Sequence, residues 1–401
     1  MRISTNQIFQ AGIRQLMNGQ SNLYKLQNQL ASEKRFQSAQ EDPVAAVQVL
    51  LTAQSRAVNL QYVDNQKNAF SQLGLEEERL QSVVDSIQYI REQTVAGGNA
   101  SYSDSQREII ARDLQSQFDF LLGMANSTDA NGYYLFSGYQ GNTRPFQQQA
   151  DGSVQYAGDD GQRLLQVGTS RQMPISDSGR SIFGAIHTGN GIFAMDAAST
   201  NTGTGVLSSG SLKGPTPWNG NDYQIQFTSA TNYTVTDMTT STVIGAFPFT
   251  SGTEITEIPG VSFSIQGTPA AGDTFTLEPS TNQSIFTTLQ NLITAFSTGI
   301  AGNPTLGASV RNTISAEMQN LDRALENVSM TQAAIGSRRS ELNSLTSAAE
   351  ALDNHYQARI QDLQGIDYAQ VISEFLQQSM QLEAAQSSFA RITGLSLFNY
   401  L

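Results

Sequence analysis

The chain has 401 residues, 35 of them acidic and 22 basic, and the resulting net charge of −13 disfavours a nucleic-acid partner, whose phosphates select for basic faces. The absence of cysteine excludes disulfides, thiolate metal sites and cysteine nucleophiles, and two histidines, His187 and His355, are too few for a multi-histidine metal site. Only 14% of residues are charged, against about 25% in an ordinary soluble domain, so much of the polar surface is amide and hydroxyl.

At the N-terminus, Met1-Arg2-Ile3-Ser4-Thr5-Asn6-Gln7 lacks the apolar core of a secretory signal peptide. No apolar run reaches the roughly 18 residues of a membrane span, so no membrane partner is expected. The protein then either stays in the cytosol or leaves by a route that does not read such a peptide. Phe9, Leu16, Leu23 and Leu30 recur every seven residues, supported by Ile13 and Leu26, which predicts an amphipathic helix. Asp42-Pro43 is a helix restart, a capping carboxylate followed by a residue suited to the first helical position. A long helix should run from Pro43 to about Ala96, its later stripe formed by Leu73, Leu80, Val83, Ile87 and Ile90, and Gly97-Gly98-Asn99 should end it. Ser103 and Gln106 have capping-box spacing and open a helix whose apolar face is Ile110, Leu114, Phe118, Leu121 and Ala125.

From here the composition changes. Nine of the ten prolines and twenty of the 33 glycines fall within residues 145–304, which removes helix from that window and leaves both flanks free to be helical. Tyr223-Gln224-Ile225-Gln226-Phe227 and Phe275-Thr276-Leu277 alternate with strand period, and the run from Thr228 to Thr253 is rich in β-branched residues. An inserted antiparallel β domain is expected, with its entrance near Arg144 and its exit near Gln283 close together. Ile285, Phe286, Leu289, Leu292, Ile293 and Phe296 predict a short helix before Gly302-Asn303-Pro304.

Ile314, Leu321, Val328, Ile335, Leu342, Ala349, Tyr356 and Leu363 then follow one another at intervals of seven. That register implies a single helix of about 75 Å, widened by Met318, Leu325, Leu345 and Leu352. After Gly365 a last helix carries Tyr368, Phe375, Leu382 and Phe389 on one seam and Val371, Ala385 and Ile392 on a second. Residues 1–40 carry a net charge of +4 and residues 361–401 of −3, so association of the two ends is expected.

The fold class that follows is α+β and multidomain: long terminal helices form a coiled-coil or bundle rod that carries an inserted antiparallel β domain. The expected division is 1–42 as an N-terminal helical arm, 43–140 and 283–360 as the two parts of the rod, 141–282 as a β-rich outer domain, and 361–401 as a C-terminal arm. No catalytic, cofactor or metal residues are expected. Gly205 to Ser211 has the glycine spacing of a phosphate loop but serine where lysine is needed, and reads as a flexible turn. Asp151 with Asp159-Asp160 fits no calcium loop. His355, beside Tyr356 on the long helix, is expected as a partly buried structural imidazole, and the single tryptophan, Trp218, as an anchor of the β lobe.

Several segments resemble a known family. The first seven residues, Lys34 to Ala46 and Tyr368 to Leu401 are similar to the ends of bacterial flagellin-like proteins. Asp129-Ala130-Asn131 followed by Gly132, Tyr133, Tyr134, Leu135, Phe136, Ser137 and Gly138 resembles the hallmark of the hook-associated protein 3 (FlgL) family. Ala271-Gly272-Asp273-Thr274-Phe275 and Gln283-Ser284-Ile285-Phe286 also fit that family. The resemblance implies an extracellular structural subunit at the hook-filament junction of the bacterial flagellum, exported unfolded by the flagellar type III apparatus without a cleaved signal. Its implied partners are a neighbouring hook-associated protein, flagellin, further copies of itself and an export chaperone. In such an architecture the chain ends form an inner coiled coil. The expected assembly interface is Phe9, Ile13, Leu16, Leu23, Leu26, Leu30, Tyr368, Val371, Phe375, Leu382, Phe389 and Ile392, and the rod seam is the heptad series from Ile314 to Leu363. Ordering about 80 terminal residues costs on the order of 80 to 160 kcal/mol, so both arms are expected to gain order on assembly. Two other readings stay open: flagellin itself, and a secreted carbohydrate-binding adhesin with a β lobe on a helical stalk.

Overall fold

The computed structural model describes residues 5–99, 101–213 and 217–398, with the side chains of residues 5, 6, 8 and 392–398 outside the description. The helices are α1 (Thr5–Ser32), α2 (Pro43–Gly97), α3 (Asp104–Ala125), α4 (Ile285–Ser297), α5 (Pro304–Gln364) and α6 (Tyr368–Phe398). The boundaries follow local chemistry. Asp42 accepts the Ala45 N–H at 3.0 Å ahead of Pro43, and this bond, with help from Arg35, holds the Asp42 carboxyl below its ordinary range. Ser103 and Gln106 form the reciprocal capping box before α3. The heptad series predicted for one helix lies within α5, unbroken.

The chain divides into two compact units, residues 1–64 with 345–401 and residues 65–344. In the first, α1 and α6 run antiparallel: the rings of Phe9 and Phe389 lie 5.2 Å apart, Gly19 packs against Leu382, and Lys34 pairs with Gly365 at the other end. The α1–α2 link is tied down by the Arg35 N–H donating to the Gln364 carbonyl at 2.7 Å, and Phe36 is buried beneath it. Arg56 donates to Asp353 at 2.7 Å, and Asn59 to the Ala349 carbonyl at 2.7 Å; both bonds join α2 to α5.

The second unit contains the main apolar core. Leu73, Leu80, Val83, Ile87 and Ile90 of α2, Leu114, Phe118 and Leu121 of α3, Phe286, Leu289, Leu292 and Phe296 of α4, and Leu321, Val328 and Ile335 of α5 are all buried. Onto it fold two hairpins, β1 (Phe146–Gln148) with β2 (Val154–Tyr156) and β3 (Leu164–Gly168) with β4 (Arg171–Pro174). A π turn at Arg180–Gly184 follows. Phe146 and Phe183 meet Phe286 of α4 at ring separations of 5.3 and 6.4 Å, so this stretch completes the helical core.

This revises the expected entrance of the insertion. The strand paired with β15 (Asn282–Gln283) is β5 (Ile186–His187), well after Arg144, because the aromatic residues between them find burial against the helices. The β lobe itself lies between β5 and β15. Its larger sheet has the order β11-β10-β9-β14-β6, formed by Thr242–Pro248, Asn232–Asp237, Tyr223–Ser229, Thr274–Pro279 and Phe193–Ala197, with every neighbouring pair antiparallel. A smaller sheet joins β12 (Glu254–Ile255), β13 (Val261–Gln266) and β7 (Val206–Leu207), and β8 (Ser211–Leu212) also pairs with β13. The stretch read as a flexible turn, Gly205 to Ser211, therefore supplies sheet residues, held by the Ser208 N–H donating to the Ser264 carbonyl at 2.9 Å. Ile225, Phe227, Val235, Phe263, Ile265, Phe275 and Leu277 fill the core of the lobe. Trp218 leans on it edge-on to Phe193 at 5.8 Å.

Candidate assembly interface

The two terminal seams are brought together but incompletely covered. Ile13, Leu16, Leu23, Leu26 and Leu30 of α1 are half-buried, as are Val371, Phe375, Leu382 and Phe389 of α6, while Phe9 and Tyr368 are exposed. The Ile392 side chain lies outside the described residues. Two helices facing only each other cover one side of each, and the rest stays open: Met17 and Tyr24 on α1, and Ile372, Leu376 and Met380 on α6, are all exposed. The first turns of α2 add Val44, Val47, Leu50 and Leu51, likewise exposed. A groove between α1 and α6 of about 430 Å³ is lined by Asn22, Gln29, Gln377, Gln378 and Gln381 together with Lys25 and Glu374.

Opposite charge does not join the arms in the expected way. Two cations of the N-terminal arm turn to their own segment, Lys25 to Glu41 at 3.5 Å and Arg35 to Asp42 at 2.9 Å. Among the described residues no ion pair links α1 to α6. The nearer carboxylates win because the link between α1 and α2 folds back beside them. One side-chain contact across the arms is the Tyr368 hydroxyl with Glu33, whose carboxylate raises the phenol above its ordinary range.

Of the rod seam, Ile314, Leu321, Val328, Ile335 and Leu342 are buried in the second unit. In the first unit Ala349 is buried, Tyr356 and Leu363 are half-buried, and His355, expected partly buried, is exposed to solvent. The flanking Leu352 is also exposed.

The family hallmark is a latch between α3 and the hairpins. Asp129 accepts the N–H groups of Asn131 at 2.8 Å and Tyr133 at 2.9 Å. The Leu135 N–H donates to the Ser127 carbonyl at 3.0 Å. Leu135, Phe136, Ser137 and Gly138 are buried, Tyr134 is half-buried, and Gly132 and Tyr133 face solvent. Phe136 meets Phe183 edge-on at 5.4 Å. The Phe136 carbonyl accepts from Gly179 N–H at 2.9 Å and from the Tyr156 hydroxyl at 3.0 Å. Asp159 then closes the loop by accepting the N–H of Tyr139 at 3.0 Å and of Gly161 at 2.7 Å.

A second set of residues holds the inserted segments to α5 and was not anticipated. Asn312 accepts the Leu207 N–H at 2.8 Å and donates to the Gly205 carbonyl at 3.0 Å. Asn320 accepts the Gly189 N–H at 2.9 Å, and Asn327 donates to the carbonyls of Ser181 and Ile182 at 2.8 and 2.9 Å. Arg338 grips Asp177 through two bonds of 2.8 and 3.0 Å. Buried Glu317 gathers donors from Gln283, Asn291 and Asn320; its burial raises its affinity for a proton, and these donors oppose that. Glu76, only 1% exposed, accepts the Asp177 N–H at 3.1 Å. Burial, and then the neighbouring Asp177 charge, push its carboxyl well above the ordinary range. The visible signal was the spacing of Asn312, Asn320 and Asn327, eight and seven residues apart, which places three short amides on one side of α5.

Comparison with known proteins bears on both ends. Residues 3–141 match the family model described as the bacterial flagellin N-terminal helical region, and residues 318–401 match that of the C-terminal helical region. Flagellar hook-associated protein 3 of Salmonella typhimurium is 27% identical over 398 residues, covering 99% of each chain. The crystal structure of Xanthomonas campestris FlgL superposes with a TM-score of 0.73 at 30% identity, over 77% of this chain and 99% of that one. Flagellar hook-associated protein 3 from Legionella pneumophila gives a TM-score of 0.74 at 28% identity, over 79% and 98%.

Proposed function

This chain belongs to the hook-associated protein 3 (FlgL) family of flagellin-like proteins, and from that membership we propose how its parts serve a junction between hook and filament. It is a structural subunit of the bacterial flagellum. The neighbours on its two sides are another hook-associated protein and flagellin, with further copies of itself beside it. The chain is exported without a cleaved signal, helped by a chaperone, and acts outside the cell as scaffold and not as catalyst.

The division of labour we propose takes 1–42 and 361–401 as assembly arms, 43–140 with 283–360 and the hairpins that complete its core as the rod, and the β lobe between β5 and β15 as the outer part. The seam residues from Phe9 to Leu30 and from Tyr368 to Ile392 would carry the assembly contacts. One observation supports this most: the α1–α6 seam is half-covered by its own chain and is flanked by exposed Met17, Tyr24, Leu376 and Met380. Apolar surface left open in one copy is surface for a neighbour. The amide-lined groove beside it offers hydrogen bonds at a lower desolvation cost than charges would, which suits contacts with two unlike neighbours.

The test adds purified protein to isolated hooks that carry the neighbouring hook-associated protein and follows them by electron microscopy. Capping of the hook ends that then permits flagellin growth is expected. Unaided growth of long filaments would support the flagellin reading instead, and failure to associate with such hooks would refute the junction reading. The adhesin reading needs an exposed aromatic platform, whereas Trp218 is packed against Phe193.

A further inference from the structure

The chain contains four Asn-Gly pairs, Asn18-Gly19, Asn131-Gly132, Asn190-Gly191 and Asn219-Gly220. In such a pair the glycine nitrogen can attack the asparagine side-chain carbonyl, because no Cβ hinders the approach. The reaction turns on two atoms: the nitrogen, which must be free of its own hydrogen bond, and the carbonyl oxygen, on which negative charge develops. Three of the pairs hold the nitrogen back. Gly19 lies inside α1, where its N–H belongs to the helix ladder. The Gly132 N–H donates to the Asp129 carbonyl at 3.0 Å, and the Gly191 N–H to the Thr188 carbonyl at 3.2 Å.

Asn219-Gly220 is built differently. Gly220 is exposed, and its N–H has no partner among the described residues. Asn219 Oδ1 accepts two donors, the Asn221 N–H at 3.1 Å and the Tyr223 hydroxyl at 2.9 Å. The first curls the side chain back over the Gly220 peptide, toward the nitrogen that must attack. The second comes from a buried ring of β9, so it is fixed in place before charge develops on the oxygen it meets. Burial also holds the Tyr223 phenol above its ordinary range, so it remains a donor in mildly alkaline solution, where the attacking nitrogen gives up its proton more readily. Asn190 Oδ1 likewise accepts two N–H groups, from Ile192 and Phe193; the free nitrogen is what separates Asn219 from it.

We propose that Asn219 is a self-modifying site at which the fold promotes loss of the side-chain amide. The Gly220 nitrogen bonds to Asn219 Cγ, its proton passes through solvent to the departing side-chain nitrogen, and ammonia leaves a succinimide ring. Water then adds across one of the two ring C–N bonds on either side of that nitrogen. The product at position 219 is aspartate or, with the main chain lengthened by one methylene, isoaspartate. Nothing is oxidised or reduced. The lobe gains one negative charge, and the turn that joins Trp218 to β9 is altered. This chemistry belongs to the lobe and does not rest on the junction reading.

Full-length protein is incubated in mildly alkaline buffer, folded and in urea, and each pair is followed by peptide mass spectrometry with enzymatic labelling of isoaspartate. Asn18 lies in an arm expected to open in the free chain, so Asn131 and Asn190 are the comparison. In urea the three pairs should react at similar rates. Folding should slow Asn131 and Asn190 about tenfold or more, the cost of freeing a bonded N–H, while Asn219 reacts as fast as in urea or faster. Tyr223→Phe keeps the ring and removes the hydroxyl; it should slow Asn219 about tenfold in the folded chain and leave its rate in urea unchanged. Folding that slows Asn219 as much as the other two would overturn the proposal. So would an equal or faster reaction in folded Tyr223→Phe, which would make the hydroxyl a restraint on the side chain and not an activating donor. If that variant does not fold, the folded and unfolded rates of the unaltered chain decide by themselves.

Discussion

Gly138 offers the sharpest test of the hallmark as a latch, because Gly132, six positions earlier, supplies its own control. Both sit at positive φ, +70° and +83°, so alanine at either costs about 1 kcal/mol of left-handed strain. A methyl group at Gly132 meets nothing within 4 Å, whereas at Gly138 it would lie 2.2 Å from the Asp159 carboxylate and 2.4 Å from its carbonyl oxygen. Asp159 must then retreat from the N–H groups of Tyr139 and Gly161. Losing one carboxylate-assisted bond costs about 1.5 to 3 kcal/mol. Gly138→Ala should therefore lose about 2.5 to 4 kcal/mol locally and Gly132→Ala about 1 kcal/mol. Amide hydrogen exchange at Leu135 and Gly179, whose N–H groups lie inside the latch, reads the local loss without assuming that the whole chain unfolds as one. Equal acceleration in the two variants would refute the close approach to Asp159 as the reason for glycine.

Other consequences follow from the same contacts. Arg338→Met removes the partner of Asp177, which is 6% exposed, and should cost about 3 to 5 kcal/mol in urea unfolding; adding Asp177→Asn should recover much of it. Glu76 holds a proton in the folded chain above the pH at which the unfolded chain releases it. The folded state thus binds more protons there, and stability falls as pH rises from the ordinary glutamate range toward the raised folded value. Glu76→Gln should flatten that slope, and an unaltered slope from pH 4.5 to pH 8 would assign it elsewhere. Asn312→Ala leaves the Leu207 N–H and the Gly205 carbonyl without a partner and should raise exchange at Leu207 by roughly tenfold or more. In the isolated protein, amides of α1 and α6 should exchange faster than those of α3 and α4, and the difference should narrow on assembly; strong protection of both arms in the monomer would contradict it.

Periodicity made the helices legible because a long helix repeats its signal. The heptads of α5, the restart at Asp42-Pro43 and the Ser103 capping box each follow from residues a few positions apart. The hairpins between Phe146 and Pro174 gave no comparable signal: β1 and β2 have three residues each, too few for alternation to register. The burial of Phe146 depends on Phe286, far along the chain. The same holds for Asn312, Asn320 and Asn327, whose amides look like a solvated face until the backbone they hold is known. The seam residues of the arms were readable as apolar, but their half-covered state was not, since coverage depends on how many neighbours each helix finds.

That difference in coverage has an energetic meaning for each unit taken by itself. In residues 65–344 the apolar side chains of four helices and both lobe sheets are buried by the chain's own elements, and burial worth about 25 cal/mol per Å² can offset the cost of ordering the backbone there. In α1 and α6 the ordering cost per residue is the same, while Phe9, Met17, Tyr24, Leu376 and Met380 remain largely in water. Under the proposed assembly the missing burial comes from neighbouring subunits, which would couple the ordering of the arms to the arrival of those neighbours and make correctly placed association cooperative.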